Sequence, residues 1–260
     1  MRKYYDLHLH PKNLDEACDM IKTAERLGWH GVCLVEYFKG VDDFRKFQES
    51  VLGIKKDAGI EVFTGAEITG KSRQEIQKNA QKSLEYADII FAHGSCDVNR
   101  DIAEVGEIDV LCHPERDVQR DFMDQKNSGI DHIISKLLYE NNTAVEVNFS
   151  DILNSYGFVR ARIMGRMRQN IGLAKEYNFL SVLASGASEV FGMRAPRDFI
   201  TVGKALGMTE TEAKNSVSEN PGKIIQKSLD RKNPSVIMSG LDVVTWGKNK
   251  HAEKKMSGLY

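Results

Sequence analysis

The sequence predicts an α/β fold, a TIM-like barrel of about seven parallel strands surrounded by helices. Short apolar runs alternate with segments whose apolar residues recur at helical spacing, and this alternation favours parallel strands joined by right-handed crossovers. Six of the runs end near a polar or metal-binding residue, as expected where strands bring their carboxyl ends to one functional rim. A length of 260 residues suits a single barrel, which needs about 250. A doubly wound open sheet is the alternative, but no GxGxxG motif follows the first strand.

Seven segments are predicted as strands because each is short, apolar and rich in β-branched or aromatic residues. Their predicted bounds are Tyr5–His10, Gly31–Tyr37, Ile60–Ile68, Ile89–His93, Val110–His113, Ala144–Asn148 and Phe179–Ala184.

Helical periodicity fills the segments between the strands. Asn13 and Ser72 are each followed three residues later by a glutamate, as in a capping box, and Gly28 is expected to close the first helix. Residues 220–222, Asn-Pro-Gly, are expected to break the last helical region. The predicted helices span about 14–27, 41–59, 73–87, 100–105, 130–138, 158–177, 196–206, a segment from 209 and 223–229.

Residues 1–229 are therefore predicted to form one barrel domain, and residues 230–260 a C-terminal tail. The tail has a late basic cluster at Lys248, Lys250, His251, Lys254 and Lys255 and is expected to be a mobile extension or a partner-docking segment.

The composition bounds the function. A net charge of −1 argues against strong autonomous binding of nucleic acid, but leaves open a subunit that contacts RNA through a local patch. No apolar run approaches the roughly 20 residues that span a bilayer, and no apolar stretch of signal-peptide length follows Met1. We therefore expect a cytoplasmic protein without a membrane partner.

The four cysteines, Cys18, Cys33, Cys96 and Cys112, are widely spaced, and no CxxC pair exists. A zinc knuckle is therefore not expected, and a disulfide framework does not suit a reducing compartment. We predict that the cysteines are small buried residues.

Five residues near strand ends form a candidate metal site. His8 and His10 are two apart on a strand, so their side chains point to the same side, and imidazole suits zinc, iron and nickel. Glu67, His93 and His113 each follow an apolar run of their own strand. We predict that the five converge on a divalent ion such as zinc, manganese or iron.

The set is incomplete for a multi-metal phosphoesterase, in which bridging metals would clamp a phosphate and supply hydroxide. Asp15 could add a ligand, but Glu36-Tyr37 offers one carboxylate and a phenol where another ligand would help. Residues 185–189 offer little besides Glu189.

These rim motifs resemble the polymerase-and-histidinol-phosphatase (PHP) superfamily, which has a distorted seven-stranded barrel and up to three metals. His8, His10 and Asp15 match its first motif, and Glu67, His93 and His113 match later positions. Its Asp-His pair is replaced by Glu36-Tyr37, and its final Asp-x-His by Ala187 and Glu189.

The second half resembles the archaeal ribonuclease P component 3 family, related to the thirty-kilodalton subunit of the eukaryotic enzyme. The similarity lies in residues 129–137, 144–147 and 194–200, with Asn99-Arg100 before the fifth strand, and extends over about residues 4 to 229.

This resemblance implies a protein subunit of ribonuclease P, which removes 5′ leaders from precursor tRNA. It implies that the RNA component is catalytic, that no residue of this chain is, and that the partners are ribonuclease P RNA, a small ferredoxin-like subunit, other ribonuclease P proteins and precursor tRNA. A stand-alone metal-dependent phosphoesterase of the PHP type is the alternative.

Basic residues near the matched motifs are the predicted RNA or phosphate contacts. They are Arg100, His132, Lys136, Arg160, Arg194 and Arg197. Lys136 lies four residues beyond His132, so both share a helix face. One predicted helix carries four guanidinium groups, which suit phosphate, at Arg160, Arg162, Arg166 and Arg168. A solvated helix face is the alternative interpretation of that run.

Overall fold

A computed structural model of the chain describes residues 2–117, 120–238, 241–245 and 247. Seven parallel strands form one sheet in the order of the sequence. They are β1 (Tyr5–Leu9), β2 (Gly31–Tyr37), β3 (Glu61–Ile68), β4 (Ile89–His93), β5 (Val110–Cys112), β6 (Ala144–Asn148) and β7 (Ser181–Ala184).

The sheet curls into a nearly closed barrel, as predicted. Leu9 at the end of β1 bridges Ala187, which follows β7, in parallel pairing, and the His10 amide donates to the Ala187 carbonyl at 2.9 Å. Sequential parallel strands with helical crossovers leave the carboxyl ends of all seven strands on one rim.

Helices surround the barrel. They are α1 (Leu14–Leu27), α2 (Val41–Lys55), α3 (Arg73–Ser83), α4 (Asn99–Ala103), α5 (His132–Glu140), α6 (Phe149–Leu153), α7 (Gly157–Tyr177), α8 (Pro196–Ala205), α9 (Glu210–Ser216) and α10 (Glu219–Lys232), with a 3-10 turn at Val190–Gly192. The predicted caps form, since Asn13 accepts from the Glu16 amide, Ser72 accepts from the Glu75 amide and Gly28 adopts a left-handed φ of 88°.

The barrel interior is filled by alternate residues of each strand. Cys33, Val35, Phe91 and Val110 belong to one buried cluster, and the intervening positions pack outward against the helices. Gly65 is required on the inner side of β3, because a Cβ there would lie 2.7 Å from the Phe91 ring. Two residues further along, the same alternation points Glu67 inward at the rim.

Some element boundaries differ from the prediction. The predicted break at residues 220–222 is wrong, because Pro221 lies in the first turn of α10, where no backbone N–H is needed. The chain breaks earlier, at 217–218, between α9 and α10. Helix α3 also ends at Ser83, four residues before the predicted end.

Helix α10 extends to Lys232 because its last turn is tied to the amino end of the barrel. Arg231 pairs with Asp109 at 2.5 Å and Lys232 pairs with Asp88 at 2.6 Å. Two short antiparallel strands follow, β8 (Val236–Met238) and β9 (Leu241–Asp242). The boundary at 229–230 thus falls inside α10, and the division into barrel and tail stays a prediction. The basic cluster at residues 248–255 lies outside the described residues.

The burial predicted for the cysteines holds in part. Cys33 and Cys112 are buried in the barrel, but Cys18 is half-buried and Cys96 is exposed, so the prediction was wrong for Cys96. Cys96 lies in the loop between β4 and α4. Across the described part of the chain, none of the helices combines the length and apolar character needed to cross a membrane.

Candidate functional site

The structure brings the five predicted metal ligands together at the carboxyl rim of the barrel. His8 lies on β1 and His10 directly after it, Glu67 on β3, His93 at the end of β4, and His113 directly after β5. Two groups of ligand atoms, one from His8, His10 and Glu67 and one from Glu67, His93 and His113, each lie within 4.8 Å of one another. Glu67 belongs to both groups and is the centre of the cluster.

His8, His10 and Glu67 form a triangle of donor atoms. The two Nε2 atoms are 2.8 Å apart, and Glu67 Oε2 lies 2.9 Å from His10 Nε2 and 3.7 Å from His8 Nε2. Donor atoms held about 2.1 Å from one zinc ion at tetrahedral angles are about 3.4 Å apart. Two sides of the triangle are shorter than this and one is longer, so the three atoms could share one ion after small side-chain shifts.

Glu146, which the metal prediction did not include, supports this triangle from beneath. Its Oε1 lies 2.7 Å from His8 Nδ1, and both side chains are about 1% exposed. Burial disfavours the charged imidazole, but Glu146 and Glu67 hold the pKa of His8 well above its ordinary value. The Asn148 amide also donates to Glu146 Oε1 at 3.1 Å. A carboxylate that fixes a histidine through Nδ1 leaves Nε2 available to a metal.

His93 is held on both sides of its ring. Its Nδ1 lies 2.5 Å from Glu67 Oε1, and Arg116 Nη1 lies 3.1 Å from its Nε2. Because a guanidinium can only donate, His93 Nε2 accepts and Nδ1 carries the proton toward Glu67.

Tyr37 stacks on His10 with ring centroids 5.0 Å apart and an angle of 18° between the rings.

His113 is fixed by Asp151, a residue that the sequence did not indicate. Its Nδ1 lies 2.6 Å from Asp151 Oδ2, on the short helix α6, and its backbone adopts a φ of 51°. A positive φ is uncommon for residues other than glycine, and such backbone conformations are often found at functional sites. Burial opposes the charged form of His113, while Asp151 and Glu146 raise its pKa.

Glu115, two residues further, is a buried carboxyl group. It is 5% exposed, and neither oxygen has a hydrogen-bond partner in the part of the chain that the structure describes. Burial raises its pKa to about 7.

The remaining PHP-like positions do not join the cluster. Asp15 is exposed on the first turn of α1 and belongs to none of the donor groups found among the described residues, so its proposed place as a ligand is not supported. Glu36 points outward and lines a separate cavity beside Lys12 and Leu14. Glu189 is half-exposed and pairs with Lys12 at 2.6 Å.

The predicted RNA contacts are distributed over the surface near α4, α5 and α8. Arg100, His132, Lys136 and Arg197 are exposed. Arg194 donates to the carbonyls of Phe191 and Met193 at 2.8 and 2.7 Å. The contacts of the described residues do not show whether these side chains bind RNA, so their role as RNA contacts stays a prediction.

The arginine run of α7 is not one solvated face. Arg160 donates through Nε to the Ser155 carbonyl at 2.7 Å, and Arg168 is exposed. Arg166 is buried and pairs with Asp121 at 3.0 Å. The solvated-face interpretation is therefore wrong for Arg166, whose partner lies 45 residues away in the sequence.

A sequence profile of the RNase P subunit p30 family matches residues 3–233. The chain is 30% identical over 231 residues to ribonuclease P protein component 3 of Methanococcus maripaludis strain C7, covering 87% of this chain and 93% of that protein. It is 27% identical over 232 residues to the protein of the same name from Methanothermobacter thermautotrophicus, covering 89% and 92%.

Solved structures show the same fold. A chain in the cryo-EM structure of archaeal ribonuclease P with mature tRNA matches with a TM-score of 0.77 at 24% identity, covering 94% of this chain and 100% of that one. A Listeria monocytogenes protein classed as a histidinol phosphatase matches with a TM-score of 0.55 at 12% identity, covering 73% and 97%. Both likenesses concern the barrel.

Proposed function

The chain belongs to the RNase P subunit p30 family, and from that membership we propose that it is a protein subunit of ribonuclease P. The holoenzyme removes 5′ leaders endonucleolytically from precursor tRNA. Its RNA component is catalytic, and this chain supports that RNA. The observation that carries the proposal is the family match, which spans residues 3–233 and so includes the whole barrel.

The proposed partners are ribonuclease P RNA, a small ferredoxin-like subunit, the other ribonuclease P proteins and precursor tRNA, in the cytoplasm. The net charge of −1 supports assembly with partners, because a subunit that bound RNA alone would need a basic excess. The exposed Arg100 and Lys136, on the adjacent helices α4 and α5, are candidates for local phosphate contacts.

Copurification tests this function. A tagged copy of the chain, expressed at native level in its own cells, is expected to bring down one structured RNA and a set of small proteins. Sequencing that RNA would identify it. Recovery of the chain free of RNA and protein, with the same tag on either terminus, would contradict the proposal.

We also propose that the rim cluster binds a divalent metal ion through His8, His10 and Glu67, with His93 and His113 beside it. The convergence of five donors from four strand ends supports the proposal, since imidazole and carboxylate groups are common ligands of divalent metals. A bound ion would supply Lewis acidity and an activated water. Glu146 and Asp151 would hold the imidazoles in place.

The stand-alone phosphoesterase is the second candidate function, and the donor triangle is the observation that favours it. Against it, Glu36 points away from the cluster, and the described residues after β7 add no ligand to it. We expect purified protein with added manganese not to hydrolyse a chromogenic phosphate monoester. Turnover that is abolished by His8→Ala would establish the hydrolase instead.

A further inference from the structure

A small cavity of about 250 Å³ lies beside the histidine cluster, between the loop after β5 and helices α6 and α7. Arg116, Arg162 and Arg166 line it together with the carboxylates of Glu115, Asp117 and Asp151. Two of these residues touch the rim, since Arg116 hydrogen-bonds His93 and Asp151 hydrogen-bonds His113. The volume is below the about 300 Å³ at which pockets for drug-sized ligands begin, so it suits a small group.

Arg166 points to a ligand in this cavity. Its side chain is 5% exposed, and its Nε donates to Asp121 Oδ1 at 3.0 Å. Its Nη2 is buried and has no hydrogen-bond partner among the described residues. A buried charged donor without an acceptor is costly, so the cavity needs an acceptor that the surrounding side chains do not supply.

The other two guanidinium groups are also available to a ligand. Arg162 lies over the Phe158 ring at 4.9 Å and makes no ion pair with a carboxylate in the described ranges. The described contact of the Arg116 side chain is with His93 Nε2 and not with a carboxylate. Of the carboxylates lining the cavity, Asp151 is engaged by His113, and Asp117 is exposed and pairs with no arginine in the described part of the chain. Three guanidinium groups around one small space form a site for an anion with several acceptor oxygens.

Glu115 restricts the kind of anion. Both of its oxygens are buried without a partner in the described structure, and a carboxyl group here fits a ligand that offers both a hydrogen-bond acceptor and a donor. A phosphoryl group that carries or adjoins a hydroxyl meets both needs. We propose that the cavity binds a phosphoryl group, with its oxygens toward Arg116, Arg162 and Arg166 and a ligand hydroxyl toward Glu115. The proposal does not depend on membership of ribonuclease P.

Phosphate titration of metal-free protein tests the proposal. Chelator treatment removes any ion at the histidine cluster, so that phosphate cannot bind through a metal. Inorganic phosphate is added at low ionic strength while the arginine Nε–H resonances are followed by NMR and the heat is followed by calorimetry. We expect saturable binding with shifted signals from Arg162 and Arg166.

Two arginines of the same helix give a matched comparison. Arg162→Gln is expected to weaken phosphate binding at least about tenfold, because a charge-assisted contact is lost. Arg168→Gln, which removes an exposed charge outside the cavity, is expected to change it less than about twofold. Arg116→Gln gives a second test should Arg162→Gln fail to fold. Absence of saturation, or equal losses from Arg162→Gln and Arg168→Gln, would overturn the proposal and leave only water in the cavity.

Short RNAs distinguish the two possible sources of the phosphoryl group, a terminal phosphate monoester and the RNA backbone. A trinucleotide with a 5′-phosphate and the same trinucleotide with a 5′-hydroxyl are compared with inorganic phosphate. Binding that needs the terminal phosphate identifies a phosphate monoester as the ligand. Equal binding of both trinucleotides, with equal sensitivity to Arg162→Gln, identifies the RNA backbone. Failure of both trinucleotides and of inorganic phosphate contradicts the proposal, while the proposed ribonuclease P role would stand or fall separately on copurification.

Discussion

His8 and His10 direct their Nε2 atoms at each other across 2.8 Å, with Glu67 Oε2 2.9 Å from His10 Nε2. Two imidazole nitrogens that face each other can share one proton, and His10 Nε2 then cannot also donate to Glu67. One divalent cation satisfies all three atoms at once. The triangle is therefore the feature of the rim that most needs a ligand.

Metal affinity is the first prediction. His10→Ala removes one corner of the triangle and is expected to abolish stoichiometric binding of zinc or manganese, measured by competition with a chromophoric chelator. Glu146→Gln keeps all three donors but weakens the support of His8, so we expect a loss of about 10- to 100-fold. His30→Ala, at the amino end of β2, is the control and should bind as the unmodified chain does. Equal affinity in all three variants would argue against a metal at the rim.

The second prediction concerns pH. Burial raises the pKa of the Glu115 carboxyl group to about 7 from 4.5, so the folded chain favours its protonated form. Its contribution to stability is therefore complete below about pH 4.5, declines as the pH rises, and is lost above about 7. Glu115→Gln removes this dependence. The free energy of unfolding of the variant minus that of the unmodified chain should therefore rise by about 3 kcal/mol between pH 4 and pH 8.

Urea unfolding of chelator-treated protein at a series of pH values measures this gain. The comparison uses the difference between the two chains at each pH, because other groups titrate equally in both. A constant difference across the range would mean that Glu115 has the same pKa in the folded and unfolded chains.

The third prediction concerns the ion pair between α7 and the loop before α5. Asp121 accepts from Arg166 Nε at 3.0 Å and from the Asn127 amide at 3.2 Å. Asp121→Asn leaves the buried guanidinium without its counter-charge, and we expect a loss of about 3 kcal/mol in the free energy of unfolding. Asp124→Asn, an exposed position in the same loop, should cost less than about 0.5 kcal/mol. Similar losses in both variants would show that the cost comes from removing any negative charge in this loop, and not from breaking the pair of Asp121 and Arg166.

The fourth prediction concerns the exposed basic residues. Removing one phosphate contact lowers the slope of log affinity against log salt by about 1. Lys136→Ala, tested in the assembled complex with ribonuclease P RNA, is therefore expected to reduce both affinity and salt slope. Lys46→Ala on α2 is the control. Lys46 is exposed and lies far in sequence from the segments that resemble the ribonuclease P component 3 family. An unchanged slope for Lys136→Ala would remove it from the interface.

The sequence was sufficient for the barrel and for the five rim donors, because both follow from the alternation of side chains along short strands. Glu67 and His93 end their strands on the inner face, and parallel strands bring such ends together. The sequence carried one signal for Glu146, because a carboxylate stands there at an inward position of an apolar strand. Its role became clear only from its contact with His8 in the structure.

Other parts of the site had no local signal. Asp151 lies on α6, a helix of five residues, which is too short to display helical periodicity. The pair of Arg166 and Asp121 joins residues 45 positions apart, so no local pattern could predict that one arginine of the run is buried. The length of α10 likewise depends on tertiary ion pairs with Asp88 and Asp109.

Reconstitution tests the central claim most directly. Ribonuclease P RNA and the other protein subunits from the same organism are assembled with and without this chain, and cleavage of a precursor tRNA labelled in its 5′ leader is followed at limiting magnesium. We predict that adding the chain raises kcat/KM for accurate 5′ cleavage, and that the His8→Ala variant does so equally well if it folds. Identical cleavage rates with and without the chain, in assemblies whose composition has been verified, would contradict its role in ribonuclease P.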